Sequence, residues 1–114
     1  MNYMFEHRED AVIVSVHGRV DESSWVAFGV GLSDGIEQAR QSGLATVIID
    51  LTALDYMSSR GLRVLTVAKR EGEEAGVSVV LAAANEVMRE ILAISRYDKL
   101  FTILLDVRAG AIGL

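Results

Sequence analysis

The 114-residue chain contains no cysteine, which excludes disulfide bonds and thiolate metal sites. Basic residues are also few, because 11 Lys and Arg stand against 16 Asp and Glu and give a formal net charge of −5. A nucleic-acid surface requires a basic patch, so we expect no nucleic-acid partner. Histidine occurs only at His7 and His17, and two histidines without a third ligand make a poor metal site. We therefore expect neither a metal nor a cofactor.

Long apolar runs are missing as well. Runs such as residues 77–84 are among the longest and fall far short of the roughly 20 apolar residues that span a bilayer. The first ten residues are mixed and polar, without the pattern of a secretory signal. The sequence thus predicts a cytoplasmic protein with no membrane partner. Apolar residues make up 51% of the chain, enough for one core, and the length predicts one domain over residues 1–114.

The apolar pattern alternates between strand and helix periods. The predicted strands cover residues 3–8, 11–17, 45–50, 77–82 and 101–105, the last at an edge. The predicted helices cover residues 25–39, 59–74 and 86–92, with Gly43, Gly76 and Asn85 as caps. The inner faces are expected to carry Gly61, Val64, Leu65, Ala68, Gly72 and Ala75 in the second helix and Val87, Met88, Ile91 and Leu92 in the third. This order predicts an α/β fold with a mixed four- to five-stranded sheet, followed by a tail over 108–114.

The segment 47–65 is the most informative part of the chain. It begins as a continuous apolar run, typical of a buried strand, and a turn is predicted at Asp50-Leu51-Thr52. Two hydroxyls, Ser58 and Ser59, then stand immediately before Gly61 and a helical pattern. A serine at a helix start lies near free backbone N–H groups, where a phosphate is readily placed and recognised.

Two motifs in this chain occur together in a known family. The first joins Asp50-Leu51-Thr52 and Tyr56-Met57 to Ser58-Ser59-Arg60-Gly61-Leu62, and the second is Gly18-Arg19-Val20-Asp21. In this order the chain resembles the STAS family, the anti-sigma factor antagonists of bacteria, over nearly its whole length. The resemblance implies a small mixed sheet with helices packed mainly on one side.

The resemblance also implies a function by partner switching. The unmodified antagonist binds an anti-sigma factor, which is a serine kinase of the histidine-kinase ATPase fold, and phosphorylation of the antagonist releases it. A PP2C-type phosphatase resets the cycle. The phosphorylated serine of the family falls on Ser59, with Ser58 as the alternative. This chain has Ser58 where the family has Asp, and Arg60 where it has Ser or Ala, and Arg60 is a candidate partner for the phosphate.

The predicted docking surface surrounds these serines. Asp21 is expected at the same sheet edge, where the resemblance implies that it orients the serine or contacts the kinase. Leu62 is expected to be exposed beside Thr66 and to anchor the partner. The candidate partner-binding residues are Asp21, Met57, Ser58, Arg60, Leu62, Arg63 and Thr66.

Other interpretations of the same residues stay open. The two serines are equally typical of a helix N-cap, and Asp21 of a cap on the first helix. A STAS domain that is never phosphorylated would act as a scaffold or as a regulatory subunit with a non-sigma output. Asp50 at a strand end also fits a receiver-like phosphoaspartate domain, although an adjacent acidic pair is missing. We expect no enzyme, because the chain has no G-x-S-x-G elbow and neither histidine has an evident link to Ser59.

Overall fold

The computed structural model of the protein describes residues 1–107, which form five strands, three α-helices and one 3₁₀ turn. The strands are β1 Asn2–His7, β2 Ala11–Val20, β3 Thr46–Met57, β4 Ser78–Ala82 and β5 Ile103–Leu104. The helices are α1 Trp25–Ser42, α2 Ser59–Ala75 and α3 Glu86–Ile94, and the 3₁₀ turn is Tyr97–Lys99. The tail predicted over 108–114 lies outside the described residues.

The strands form one sheet in the order β1-β2-β3-β4-β5. β1 is antiparallel to β2, and the other neighbours are parallel. Each parallel connection from β2 onward carries one of the three helices, as parallel strands require. This arrangement confirms the predicted α/β fold with a mixed sheet.

The two faces of the sheet are covered differently. Residues from all three helices join one large apolar cluster with the β2 and β3 side chains that face them, including Phe28, Leu65 and Leu92. The opposite face holds a smaller cluster of Ala11, Ile13, Ile48, Ala82 and Leu104, in which no residue belongs to the three helices. The helices therefore pack on one side of the sheet within residues 1–107, as predicted.

The predicted turn at Asp50-Leu51-Thr52 is wrong, because β3 continues through it to Met57. β2 extends with it to Val20, and after Asp50 two residues of β2 face three residues of β3. The Asp50 carboxylate accepts hydrogen bonds from the Thr52 amide at 3.0 Å and hydroxyl at 2.6 Å. A turn-forming sequence here makes a β-bulge inside a strand, since a neighbouring strand is available to pair with its continuation.

Both predicted glycine caps are confirmed, and one further cap ties a helix to β3. Gly43 and Gly76 end α1 and α2 with φ of 68° and 74°. Asn85 begins α3 by accepting the Met88 amide at 2.9 Å, and its amide nitrogen donates to the Leu54 carbonyl at 2.7 Å. This second bond fixes α3 to the extension of β3.

The inner faces of α2 and α3 are narrower than predicted. Val64, Ala75 and Ile91 are only half-buried, and Val87 is 50% exposed. Leu62 is buried instead. The buried stripe of α2 is therefore rotated toward Leu62, which leaves Val64 on the side that faces α1.

Candidate functional site

The start of α2 is seated closely on the ends of β2 and β3. The Ser58 amide donates to the Val20 carbonyl at 2.8 Å, which joins the β3 end to β2. A Cβ atom at Gly61 would lie 2.5 Å from Met57 Cγ and 2.7 Å from Val20 Cγ1. Only a residue without a side chain lets the first turn of α2 approach this edge. The position of Ser59 is thereby fixed by the sheet.

The two adjacent serines occupy different positions. Ser58 is the N-cap of α2, half-buried, and its hydroxyl accepts the Gly61 amide at 3.4 Å. Ser59 is the first residue of the helix and is exposed. The N-cap interpretation therefore holds for Ser58, while the Ser59 side chain faces solvent at the positive end of the helix dipole.

Two exposed arginines lie in the first turns of α2. Arg60 Nε is 3.4 Å from Glu22 Oε2, and its guanidinium lies 5.1 Å from the centre of the Trp25 ring. Arg63 follows Ser59 by one helical turn. No acidic residue occurs in the first turn of α2. A phosphate on Ser59 would meet helix N–H groups and guanidinium groups, both of which favour an anion.

Asp21 lies in the turn between β2 and α1, at the same sheet edge as Ser58. Its carboxylate accepts hydrogen bonds from the Ser23 amide at 3.0 Å, the Ser23 hydroxyl at 2.8 Å and the Ser24 hydroxyl at 3.2 Å. Its hydrogen bonds within residues 1–107 thus go to this turn and not to Ser59. Ser24 is the residue before α1, but its side chain makes no cap hydrogen bond. The Asp21 carboxylate accepts the Ser23 amide and the Asp21 carbonyl accepts the Trp25 amide at 3.0 Å, so Asp21 caps the turn that leads into α1.

These hydrogen bonds predict a measurable titration. The Ser23 hydroxyl and amide, helped by Ser24 and Arg19, hold the pKa of Asp21 below its ordinary value of 3.8. A depressed folded-state pKa means that the stabilisation is present above about pH 4 and is lost as the pH falls through the folded pKa. We expect Ser23→Ala to raise the pKa of Asp21, measured by carboxyl-carbon NMR. The pKa of Glu37, which Arg40 lowers, is the internal control and should not move.

Two predicted docking residues are buried and cannot form a surface contact. Met57 is 2% exposed and Leu62 is 9% exposed. Met57 lies beneath Gly61, and Leu62 belongs to the main apolar cluster. Thr66, one turn after Leu62, is half-buried and its hydroxyl lies 2.8 Å from the Tyr97 hydroxyl. Tyr97 of the 3₁₀ turn therefore contacts α2 at Thr66, on a side that the helical wheel alone leaves exposed.

The residues that sequence reasoning missed line an open groove between α1 and α2. The groove has a volume of about 830 Å³ and begins at Ser59 and Arg60. Three exposed valines border it, namely Val26, Val30 and Val67. One signal in the sequence could have revealed the groove. Val26 and Val30 are spaced i, i+4 and lie beside the buried stripe of α1, not on it. This groove adds an apolar surface next to the exposed serine.

The structure does not assemble a histidine metal site, and the Asp50 carboxylate is already hydrogen-bonded. His17 pairs with Asn2 and His7 with Val12, so the histidines lie at opposite ends of the β1–β2 pair. No three His, Cys, Asp or Glu side chains between residues 1 and 107 are grouped to hold a metal ion. Asp50 is the residue that a receiver-like domain would phosphorylate. Its carboxylate accepts hydrogen bonds from the Ser15 hydroxyl at 3.2 Å and from Thr52. Within residues 1–107, no helix has the length and apolar character needed to cross a membrane.

Solved structures with the same fold include antagonists of anti-sigma factors. An anti-sigma-factor antagonist (STAS) domain protein from Planctomyces limnophilus superposes with a TM-score of 0.80 at 16% identity, covering 96% of this chain and 94% of that one. The anti-sigma factor antagonist SpoIIAA in its unphosphorylated form gives 0.72 at 19% identity, covering 95% and 92%. SpoIIAA of Bacillus in its phosphorylated form gives 0.65 at 19%, covering 95% and 96%. These likenesses concern the fold.

Sequence comparison gives the family. A 56-residue stretch is 36% identical to a sulfate transporter of Rattus norvegicus, covering 49% of this chain. The match spans only 8% of the length of that transporter. The STAS domain family model matches residues 2–110, nearly the whole chain. The protein belongs to the STAS domain family.

Proposed function

We propose that the protein is an anti-sigma factor antagonist that switches partners by phosphorylation of Ser59. In its unmodified form it binds an anti-sigma factor of the histidine-kinase ATPase fold, and that kinase phosphorylates Ser59 and is released. A PP2C-type phosphatase restores the unmodified form, all in the cytoplasm. The observation that carries the proposal is the exposed Ser59 hydroxyl at the first position of α2, on a framework held by Gly61.

The proposed switch acts through charge at a fixed position. A phosphate adds about −1.5 to −2 charges and three acceptor oxygens. At the start of α2 the helix dipole favours this charge by roughly 0.3–1 kcal/mol, so the fold should tolerate it. A partner docked over Ser59 must instead bury a dianion, and a loss of roughly 3–4 kcal/mol weakens affinity by about 10²- to 10³-fold. No large conformational change is required.

The neighbouring residues support Ser59 over Ser58 as the acceptor. The Ser58 hydroxyl is engaged as the helix cap and is half-buried, so a kinase would have to break that bond to reach it. Arg60 and Arg63 are exposed beside Ser59. In the proposed mechanism they pair with the phosphate, and Arg60 leaves Glu22 to do so. Asp21, in the facing turn, contributes to the surface that the kinase meets.

Phosphorylation by the cognate kinase tests the proposal. Ser59→Ala is the bait in a pulldown from the native extract, and we expect an ATPase-fold kinase to co-purify. That kinase and ATP should then add one phosphate to the unmodified protein, located on Ser59 by mass spectrometry. Ser58→Ala, the adjacent control, should still be phosphorylated. A phosphate found on Ser58 would move the switch to that residue.

A second candidate function is a STAS domain that is never phosphorylated and serves as a scaffold or regulatory subunit for a non-sigma output. The identity with a segment of a sulfate transporter favours it, because that relative is named for transport rather than sigma control. Under this alternative, the kinase reaction adds no phosphate, while Ser59→Ala and Ser59→Asp bind the partner equally.

A further inference from the structure

The groove between α1 and α2 is an open channel with apolar walls. Its floor is made by small or half-buried side chains, including Gly29, Val64 and Ala68. Val26, Val30 and Val67 rise at its sides and are 59%, 51% and 52% exposed. β-Branched residues lower the stability of an exposed helix surface. Within residues 1–107, these three valines form an exposed apolar strip.

The groove runs along both helices for about three turns. Its lining on α2 extends from Ser59 to Glu71, which at 1.5 Å per residue is about 18 Å. α1 and α2 run parallel here, since Arg60 contacts Trp25 at one end and Glu71 bonds Ser33 at the other. A third helix laid along this open channel would bury apolar residues at i, i+3, i+4 and i+7.

The two ends of the groove carry opposite charges. Arg63 and Arg60 stand at the end where both helices begin. Arg60 is paired with Glu22, so Arg63 and the helix dipoles give this end its positive character. Asp34 and Glu71 stand at the other end. An occupant complementary to both ends needs an acidic group over the arginines and a basic group over the carboxylates.

We propose that this groove docks an amphipathic helix of a partner protein, with an apolar stripe, acidic side chains at one end and basic side chains at the other. A fatty acyl chain with an anionic head would satisfy the arginines but would leave its apolar tail beside Asp34 and Glu71. Helices commonly carry acidic residues in the first turn and basic residues in the last. Such a helix would lie parallel to α1 and α2.

The groove also opens at Ser59. A phosphate on that residue would stand beside the acidic end of the docked helix and would compete for Arg63. Only this regulation rests on the proposed function, because the groove itself needs no phosphorylation. Docking and switching are thus tested separately.

The binding experiment uses a synthetic 14-residue peptide, free of tryptophan, with Leu at i, i+3, i+4 and i+7, Glu in the first turn and Lys in the last. Trp25 is the only tryptophan of the chain and lines the groove, so its emission reports occupancy. We expect a saturable change in emission with the unmodified protein. Val67→Asp should weaken binding by at least about tenfold, because a charge replaces an apolar wall. Val87→Asp, on α3 and equally exposed, should stay within about twofold of the unaltered protein.

Charge reversal tests the orientation. Arg63→Glu should weaken binding by about three- to tenfold, and a peptide with Lys in place of the first-turn Glu should restore it. A merely structural effect of Arg63→Glu would not be rescued. The proposal is overturned if the peptide causes no emission change up to millimolar concentration, if Val67→Asp and Val87→Asp act alike, or if dodecanoate binds in place of the peptide. Failure would leave the Ser59 switch standing, because neither kinase nor phosphate enters the experiment.

Discussion

Replacing Ser59 by Asp is expected to weaken binding of the anti-sigma kinase by at least about tenfold, whereas Ser59→Ala should bind permanently. Asp places a negative charge on the exposed first residue of α2, where it stabilises the helix and opposes only the docked partner. The carboxylate carries less charge than a phosphate, so its effect is the lower limit of the switch. Isothermal calorimetry with the purified kinase measures both affinities.

The control for this prediction is the neighbouring residue. Ser58→Ala removes the N-cap that bonds the Gly61 amide, which should lower the free energy of unfolding by about 1 kcal/mol. Its affinity for the kinase should change little, because the side chain is half-buried and stays uncharged. Equal affinity of Ser59→Ala, Ser59→Asp and the unaltered protein would reject the switch.

Gly61→Ala is expected to lower the free energy of unfolding by about 1–3 kcal/mol. Alanine is the better helix former by about 1 kcal/mol, so propensity alone predicts the opposite sign. Packing decides the outcome, because the new Cβ would lie 2.5 Å from Met57 Cγ and 2.7 Å from Val20 Cγ1, both in the core. Chemical denaturation, followed by circular dichroism, measures the difference.

Gly29→Ala provides the matched control, since Gly29 is also inside a helix. A Cβ there meets Val64 at 3.7 Å, which is an ordinary contact. The substitution should therefore raise the free energy of unfolding by up to about 1 kcal/mol. If Gly61→Ala is as stable as Gly29→Ala, the close seating of α2 on the sheet is not what places Ser59.

Much of the fold follows from local pattern. The order of strands and helices, the glycine caps and the cap at Asn85 can be predicted from the sequence. Apolar periodicity and the capping preferences of Gly and Asn each depend on residues that are close together in the chain. Gly31 and Gly35 lie inside α1, where each glycine costs about 1 kcal/mol relative to alanine. The structure shows why they are needed, since a Cβ at Gly31 would meet the Tyr3 ring at 2.9 Å and one at Gly35 would meet Val14 Cγ2 at 2.5 Å.

The prediction fails where contacts with segments distant in the sequence determine the local structure. The Asp50 to Thr52 sequence has the chemistry of a turn, and only its pairing with β2 makes it a bulge. Leu62 lies off the inner stripe on a helical wheel, yet it is 9% exposed and belongs to the main apolar cluster. Neither the strand pairing nor the packing of that cluster leaves a signal near the residues that it affects.

The candidate site divides in the same way. Sequence placed Ser58, Ser59 and Arg60 at a helix start, which the structure confirms. It did not separate a capping hydroxyl from an exposed one, because that depends on where the helix begins to within one residue. The groove went unnoticed because it exists only when α1 and α2 lie side by side.

The most direct measurement compares the affinity of the anti-sigma kinase for the unmodified protein and for the protein phosphorylated on Ser59. We expect the phosphorylated form to bind about 10²- to 10³-fold more weakly. Amide NMR shifts should meanwhile change only around the start of α2, as a local charge requires. Equal affinity for the two forms would contradict the switch, and so would loss of binding that is accompanied by unfolding of the domain.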